Sequence, residues 1–251
     1  MIVMKFGGAS VATPQSFHRV AQIVAERQRL EKTPIAVVVS AMANATDQLL
    51  ALAKEVHPNP PSREQDMLIS VGERISIALL AMALSLIGIE AVSFTGSQSG
   101  IITNEDHSEA KIVDVRPHRI VSALQAGAVA IVAGFQGVSR KGDITTLGRG
   151  GSDTSAVALG VALRAPQIDF YKDVEGIYDA DPKVRPGARL LPQLGYSEAK
   201  ALAHNGAKVL HFRSIDLAEK NGIQLAVRSF HRPDVVGTLV GETALNRGKY
   251  E

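Results

Sequence analysis

The sequence predicts an α/β fold, a three-layer αβα sandwich around a mainly parallel sheet. Short apolar runs rich in β-branched residues alternate along the chain with segments whose apolar residues recur at helical spacing. Strands that alternate with helices form parallel sheets that are covered on both faces. Apolar residues make up 45% of the 251 positions and charged residues 21%, the composition of a globular protein with a sizeable core.

Local signals define the N-terminal elements. Residues 2–4 form an apolar strand, and a glycine pair separates this strand from a helix. Thr13 suits the N-cap of that helix, and Pro14 suits its first position. Four residues at helical spacing form the apolar face of the helix: Phe17, Val20, Ala21 and Val24.

Strands and helices continue to alternate toward the C-terminus. The apolar runs predict strands at 35–39, 91–94, 128–133, 168–171, 224–228 and 238–240. Spacing and composition predict helices at 47–56, 66–87, 118–125, 152–163, 197–205 and 214–221. In the longest of these, the apolar residues at helical spacing are Leu68, Val71, Ile75, Leu79, Met82 and Leu86. Gly206 and Gly222 follow the last two helices, where a left-handed residue commonly ends a helix. Residues 99–107 are polar and are predicted to form a loop apart from two isoleucines, and 134–148 could hold a hairpin.

Charge and residue types exclude several classes of function. Lys and Arg number 27 against 25 Asp and Glu, with no basic block, so we expect no nucleic-acid partner. The chain has no cysteine, and its histidines lack metal-ligand spacing, so we expect no metal site built from side chains. The longest apolar run, 75–89, is too short for a bilayer. No leader precedes the first strand, so we expect a cytoplasmic protein without a membrane partner.

The most informative segment is residues 147–155, LGRGGSDTS. It places Arg149, Gly150, Gly151 and Asp153 directly before an apolar helix. Free N–H groups and the positive end of the helix dipole attract anions at such a terminus, and glycines let the backbone approach a phosphate. An arginine can clamp a carboxylate or phosphate with two hydrogen bonds. The pattern therefore predicts an anion site here.

Other candidate residues lie where the predicted strands end. Lys5, Gly7 and Gly8 follow the first strand, in an order that matches neither a P-loop nor a dinucleotide-binding turn. Ser40 follows the second strand with Thr46 close behind, although Ser40 alone suits a turn and Thr46 an N-cap. Because the carboxyl ends of parallel strands meet at one edge of a sheet, we expect these residues to lie together.

Glu73 stands beside Gly72 in a mostly apolar predicted helix. A buried carboxylate is costly unless it meets a cation. That cation is either the ammonium group of a ligand, which we favour, or an arginine of the chain such as Arg74 or Arg149.

Six blocks of the sequence resemble the catalytic domain of the aspartate kinases, within the amino acid kinase family. They lie in the family's order at 5–10, 38–47, 70–74, 147–155, 173–182 and 206–211. The resemblance implies a single amino acid kinase-like domain over 1–251, with a substrate-side lobe at roughly 1–165 and a nucleotide-side lobe at roughly 166–251. It also implies ATP-dependent phosphorylation of the L-aspartate side chain with Mg²⁺, and a homodimer.

The resemblance also assigns roles to residues. The catalytic residues it implies are Lys5, Asp153 and Lys208, with the two lysines on the phosphates. The phosphate-binding residues are Gly7, Gly8, Ser10, Gly150 and Gly151. The substrate-binding residues are Ser40, Thr46, Glu73 and Arg149, with Glu73 on the ammonium group of aspartate and Arg149 on its α-carboxylate. The nucleotide-binding residues are Asp173, Tyr178 and Lys183.

The chain departs from the family pattern at Ala9, Lys172, Lys183 and Phe212. Lys172 stands where threonine is common, and its extra charge either meets a phosphate or points to solvent. The sequence ends at Glu251 without the ACT-type regulatory modules that usually follow, so we expect no feedback inhibition by lysine or threonine.

Two other functions stay open from the sequence. One is another kinase of the same fold, acting on acetylglutamate, glutamate, carbamate or a nucleoside monophosphate. Glu73 favours a free amino acid over an acylated one, because a carboxylate suits an ammonium group. The other is a non-catalytic sensor or partner subunit. The charges of Lys5, Asp153 and Lys208 argue against it, because a protein without catalysis has no need to cluster them.

Overall fold

The computed structural model describes residues 1–207 and 209–242. Over these residues it has twelve strands and eight α-helices. The strands are β1 (Ile2–Phe6), β2 (Ile35–Val39), β3 (Ala91–Phe94), β4 (Ile101–Thr103), β5 (Ile112–Val115), β6 (Val129–Ala133), β7 (Gln136–Ser139), β8 (Ile144–Thr146), β9 (Gln167–Lys172), β10 (Gln193–Leu194), β11 (Gln224–Ser229) and β12 (Val236–Val240). The helices are α1 (Pro14–Glu31), α2 (Ala45–Val56), α3 (Ser62–Ile69), α4 (Val71–Leu86), α5 (His118–Gln125), α6 (Gly151–Ala162), α7 (Tyr196–His204) and α8 (Phe212–Lys220). A short 3₁₀ helix, Gly8–Val11, joins β1 to α1.

Eight strands form one sheet, in the order β10-β12-β11-β9-β1-β2-β6-β3. Neighbouring strands are parallel except for β11 and β12, which confirms the predicted mainly parallel sheet. The strands β1, β2, β3 and β6 make one half of the sheet, and β9 to β12 make the other. The halves meet where β1 pairs with β9 in the middle of the order.

Helices cover both faces of this sheet, as expected for three layers. Helices α5 to α8 pack on one face, and α1 and α4 pack on the other. Because side chains alternate along a strand, β1 contributes Val3 to the first face and Met4 and Phe6 to the second. The same alternation places Lys5, at the carboxyl end of β1, on the face covered by α6.

A second sheet of four strands, β5-β4-β7-β8, lies beside the main one. Its β7–β8 hairpin confirms the hairpin predicted for 134–148. In contrast, β4 and β5 were not predicted as strands, although β4 begins at the two isoleucines that were excepted from the predicted loop at 99–107 and extends beyond them only to Thr103. These strands are only three and four residues long. Their strand conformation depends on hydrogen bonds to neighbouring strands, which no pattern in the local sequence indicates.

Helix boundaries largely follow the predicted signals. Thr13 caps α1, where its Oγ1 accepts from the Ser16 N–H while the Ser16 Oγ accepts from the Thr13 N–H. Gly206 and Gly222 follow α7 and α8 with φ of 102° and 62°, in the left-handed region. Both predicted helix stops are therefore confirmed.

The helix predicted over 66–87 is present as α3 and α4, which meet at Ser70. The apolar stripe that predicts it, however, mostly faces outward, with Met82 66% and Leu86 73% exposed. The packed side of α4 instead carries smaller residues as well as apolar ones: Gly72, Ser76, Ile77, Leu80, Ala83 and Leu84. Because α4 is apolar on most of its circumference, spacing alone could not tell which side meets the sheet.

The segment Ser62–Leu86 is long and apolar enough, by length and composition alone, to cross a membrane. It includes most of the run that the sequence suggests is too short for a bilayer. Half of its most apolar window is buried inside the protein. It also carries the buried carboxylates of Asp66 and Glu73, which accept hydrogen bonds from other parts of the chain. These are the contacts of a core helix.

Candidate active site

A cavity of about 860 Å³ opens at the carboxyl ends of β1, β2 and β9. The first turns of α2, α4 and α6 complete its wall. Twelve of the predicted site residues line it: Lys5, Gly7, Gly8, Ser10, Ser40, Thr46, Glu73, Arg149, Gly150, Gly151, Asp153 and Asp173. The tertiary structure thus brings together positions that are up to 168 residues apart, from Lys5 to Asp173.

Two lysines share one carboxylate in this cavity. Lys5 Nζ lies 2.6 Å from Asp153 Oδ1, and Lys172 Nζ lies 3.2 Å from Asp153 Oδ2. Burial alone would raise the pKa of Asp153, but Lys172 and Lys5 outweigh it and hold that pKa well below its usual range. The carboxylate therefore stays ionised and orients both ammonium groups.

Strand geometry explains why the two lysines meet. Strands β1 and β9 are parallel neighbours, with Lys5 opposite Phe170. Lys172 follows Phe170 by two positions, so it lies on the same face of the sheet as Lys5. Asp153 reaches both from the first turn of α6. Lys172, whose role the sequence left open, is bound to Asp153 and only 14% exposed in its side chain.

Glu73 keeps one carboxylate oxygen free in the same cavity. The residue is 2% exposed, and its Oε1 accepts from the Ala41 N–H at 3.0 Å. Its Oε2 is buried without a hydrogen-bond partner among the described residues. Neither Arg74 nor Arg149 forms an ion pair with it in the described part of the chain. Burial raises the pKa of Glu73 to about 7, even though the Ala41 hydrogen bond opposes the change.

Three further polar residues line the same cavity as Glu73, and their side chains have no hydrogen-bond partner among the described residues. Arg149 is exposed at the wall, and within the described residues it makes no ion pair or side-chain hydrogen bond. Thr46 is the second residue of α2, whose N-cap is Asn44, so the N-cap interpretation of Thr46 is wrong. Ser40 follows β2 directly and lines the cavity.

The glycines are required where the backbone is crowded. Gly150 is the N-cap of α6 with φ of 71°, and a Cβ there would lie 2.0 Å from Cγ of His211. A Cβ on Gly8 would lie 3.0 Å from the Ala41 carbonyl oxygen. At both positions the protein's own atoms fill the space that a Cβ would take, so glycine suits the turn after β1 and the N-terminus of α6, and both glycines line the cavity.

Ser10 has less freedom than its predicted phosphate-binding role requires. It is buried, and its hydroxyl donates to the Tyr171 carbonyl oxygen at 3.4 Å. Its backbone N–H also has a partner, the Gly7 carbonyl oxygen at 2.9 Å, so both of its hydrogen-bond donors are engaged within the protein.

A second cavity of about 620 Å³ adjoins the first. Its wall includes the three residues predicted to bind nucleotide: Asp173, Tyr178 and Lys183. Lys172 and Asp173 line both cavities, so the two spaces meet at the end of β9. Lys208, the other predicted catalytic lysine, lies outside the described residues, although Ala207 and Val209 line the second cavity.

The sequence did not single out Asp66, which shapes the wall. It is fully buried and accepts hydrogen bonds from the N–H of Ser108, and from the N–H and Oγ1 of Thr146. It also lies 2.8 Å from Nδ1 of His107. Ser108 and Thr146 line the first cavity. The sequence offered one signal for this role, because Asp66 is a carboxylate at the start of a predicted helix that is mostly apolar. When such a carboxylate is buried, it needs several hydrogen-bond donors.

Two largely buried lysines at the carboxyl ends of parallel strands, beside a glycine-containing helix N-terminus, are typical of proteins that bind phosphate groups. The amino acid kinase family model matches residues 1–229, and the chain belongs to that family. The resemblance found in the six sequence blocks is confirmed.

Several individual proteins that the chain resembles within this family are aspartokinases. The chain is 48% identical over 241 residues to an aspartokinase of Mycolicibacterium smegmatis, covering 96% of this chain and 57% of that protein. An aspartate kinase structure from Synechocystis is 46% identical with a TM-score of 0.85, over 96% of this chain and 40% of that one. A structure of E. coli aspartokinase III in complex with aspartate and ADP is 28% identical with a TM-score of 0.87, and the match covers 97% of this chain and 65% of that one. The chain thus spans little more than half the length of the curated relatives it matches.

Proposed function

We propose that this chain catalyses ATP-dependent phosphorylation of the side-chain carboxylate of L-aspartate, giving 4-phospho-L-aspartate and ADP. One observation carries the proposal: Oε2 of Glu73, which has no hydrogen-bond partner among the described residues, shares a cavity with the Lys5–Asp153–Lys172 cluster. A buried anionic acceptor suits the ammonium group of a free amino acid. The similarity to aspartokinases supports the same substrate.

Within this cavity the substrate would be held at both ends. Glu73 would bind the ammonium group and Arg149 the α-carboxylate, with Ser40 and Thr46 beside them. Bidentate binding by an arginine fixes the orientation as well as the position of a carboxylate. The side-chain carboxylate would then point to Lys5.

The chemistry requires positive charge rather than a base. A carboxylate oxygen forms the bond to the terminal phosphorus of ATP while the bond from that phosphorus to the β,γ-bridging oxygen breaks. The electron pair leaves on ADP, and no proton moves. Lys5, held by Asp153, offsets the repulsion between the two anions and the charge on the transferring group. Lys208 would add a further cation, as the family resemblance implies.

ATP supplies the phosphoryl group, and the second cavity fits the nucleotide. Tyr178 and Lys183 line it, and Asp173 lies at its junction with the substrate cavity. The backbone at Gly7, Gly8, Gly150 and Gly151 would bind phosphate oxygens.

Mg²⁺ fits as a partner of the nucleotide rather than of side chains. Among the described residues there is no group of three His, Asp or Glu able to hold a metal ion. Asp153 is already engaged with two lysines. Mg²⁺ is commonly bound through substrate phosphates and water, which needs no such group.

The two halves of the sheet are proposed to bind different ligands. We assign the substrate lobe to roughly 1–165 and the nucleotide lobe to roughly 166–251, because β1 and β2 end at the first cavity and residues after β9 line the second. Because the reaction uses ATP, the proposed location is the cytoplasm.

A homodimer is the proposed assembly, through the exposed apolar stripe of α4. A continuous exposed apolar surface commonly marks an interface. Light scattering should report a dimer for the wild type and a monomer for the Met82→Glu, Leu86→Glu double variant. A monomeric wild type at micromolar concentration would contradict this assembly.

Turnover separates the proposed function from its alternatives. The assay couples ADP release to a second enzyme and traps the acyl phosphate with hydroxylamine, using L-aspartate, L-glutamate and N-acetyl-L-glutamate in parallel. We expect hydroxamate with L-aspartate, and its loss in Lys5→Ala and Lys208→Ala. Hydroxamate with another acceptor alone would indicate a different kinase of the fold, and no ADP release with any acceptor would indicate a binding subunit.

A further inference from the structure

Lys172 occupies the boundary between the two cavities. It is the last residue of β9, and it lines both the substrate cavity and the adjoining nucleotide cavity. Its ammonium group lies 5.7 Å from the centre of the Phe170 ring and within hydrogen-bond distance of Asp153. Lys172 therefore lies, with Asp173, where the two cavities meet.

Lys172 is the more loosely held of the two lysines that share Asp153. Lys5 already neutralises Asp153 at 2.6 Å, and Lys172 lies farther from the same carboxylate, at 3.2 and 3.4 Å from its two oxygens. Two cations thus share one carboxylate by direct contact in a largely buried cluster, while Asp173 acts on Lys172 from a longer distance without an ion pair among the described residues. Burying a surplus cation is costly unless an anion joins it. Gly150 and Gly151 line the substrate cavity beside Asp153 at the N-terminus of α6, which is where a helix attracts an anion.

We propose that Lys172 is an additional catalytic cation, which contacts the terminal phosphate of the nucleotide as its phosphoryl group passes to the acceptor carboxylate. The bonds formed and broken are those given above, and Lys172 gives up no proton. Because this role rests on the proposed function, its test includes binding measurements that need no acceptor substrate.

The protonation of Lys172 provides an independent readout. Burial lowers its pKa to about 8; Asp153 opposes the change and Lys5 adds to it. The titratable groups that act on it are Asp153 on α6, Lys5 on β1, Asp173 after β9 and His211, the N-cap of α8. In the unliganded protein Lys172 should therefore lose its charge on the alkaline side of neutrality. A bound phosphate would raise its pKa again.

The experiment compares wild type with Lys172→Met, which is similar in length but uncharged, and Lys172→Arg, which keeps the charge. Lys141→Met is the matched control, because Lys141 lies in the exposed β7–β8 turn. Calorimetry measures dissociation constants for a non-hydrolysable Mg-ATP analogue and for Mg-ADP, and initial rates give kcat and KM. Thermal unfolding confirms that each variant is folded.

We expect Lys172→Met to bind the ATP analogue at least about tenfold more weakly, with ADP affinity nearly unchanged, because one charge-assisted hydrogen bond to the terminal phosphate is lost. Its kcat should fall by about 10- to 100-fold. Lys172→Arg should recover much of the affinity for the ATP analogue and much of kcat. Affinity of wild type for the analogue should decline above about pH 8, and the Arg variant should keep its affinity there.

Equal affinity of Lys172→Met and wild type for the ATP analogue would overturn the inference and leave Lys172 as a counter-ion of Asp153. A parallel loss of ATP and ADP affinity with a lowered melting temperature would overturn it as well. If wild type shows no aspartate-dependent turnover, the proposed function fails. The analogue-to-ADP affinity ratio still decides the role of Lys172.

Discussion

Glu73 offers a direct test of the substrate site, through a substitution that should improve stability while damaging binding. Its carboxylate is buried with one oxygen unpartnered among the described residues, and burial raises its pKa to about 7 from an ordinary value of 4.5. The difference corresponds to about 3 kcal/mol by which ionised Glu73 destabilises the unliganded fold.

The pH window follows from the direction of the shift. Because the pKa is higher in the folded protein than in the unfolded chain, the folded protein binds more protons. The associated stability is fully present below pH 4.5 and is lost as the pH rises through about 7. Glu73→Gln removes this titration, and its amide oxygen can still accept from the Ala41 N–H. At pH 8 the variant should be more stable than wild type by about 2 to 3 kcal/mol, and at pH 5 by about 1 kcal/mol or less.

Urea unfolding at pH 5 and pH 8, with and without L-aspartate, measures both effects. We expect added aspartate to stabilise wild type at pH 8 and to have little effect on Glu73→Gln, because the ammonium group loses its anionic partner. Glu55→Gln, on the exposed side of α2, is the control and should show no pH-dependent gain. A Glu73→Gln protein that is less stable than wild type at pH 8, or that keeps its response to aspartate, would refute this account of the site.

Three further substitutions test other parts of the site. Gly150→Ala should destabilise the fold by at least about 2 kcal/mol, because φ of 71° and contact with His211 both oppose a side chain; a melting temperature equal to wild type would contradict this. Asp66→Asn should cost about 1 to 3 kcal/mol in urea unfolding, because its amide group would face the Thr146 N–H as a second donor; an unchanged midpoint would refute this role. Arg149→Lys should raise KM for aspartate about tenfold or more with a smaller effect on kcat, since lysine cannot form a bidentate pair; unchanged steady-state kinetics would remove Arg149 from the substrate site.

Local sequence signals were sufficient to predict most strands of the main sheet and the helices that cover it. Continuous apolar runs predicted β2 at its observed bounds, and the Thr13–Pro14 pair predicted the start of α1. These signals are strong because a buried parallel strand must be apolar along its whole length, and a helix end needs a specific partner for its free N–H groups. The short strands β4, β5 and β10 lacked such signals, because their hydrogen bonds depend on partners outside the segment.

The sequence by itself determined the α/β class, the order of the main elements and the set of polar residues at the strand ends, since periodicity and glycine positions are local properties. Only the tertiary structure decided how those residues combine. It placed Lys172 against Asp153 rather than in solvent, because the pairing of β9 with β1 puts Lys5 and Lys172 on one face. It also turned the stripe of Met82 and Leu86 outward, because the opposite side of an almost wholly apolar helix packs on the sheet. Pairing register and packing direction arise from contacts between distant segments, and no local pattern specifies them.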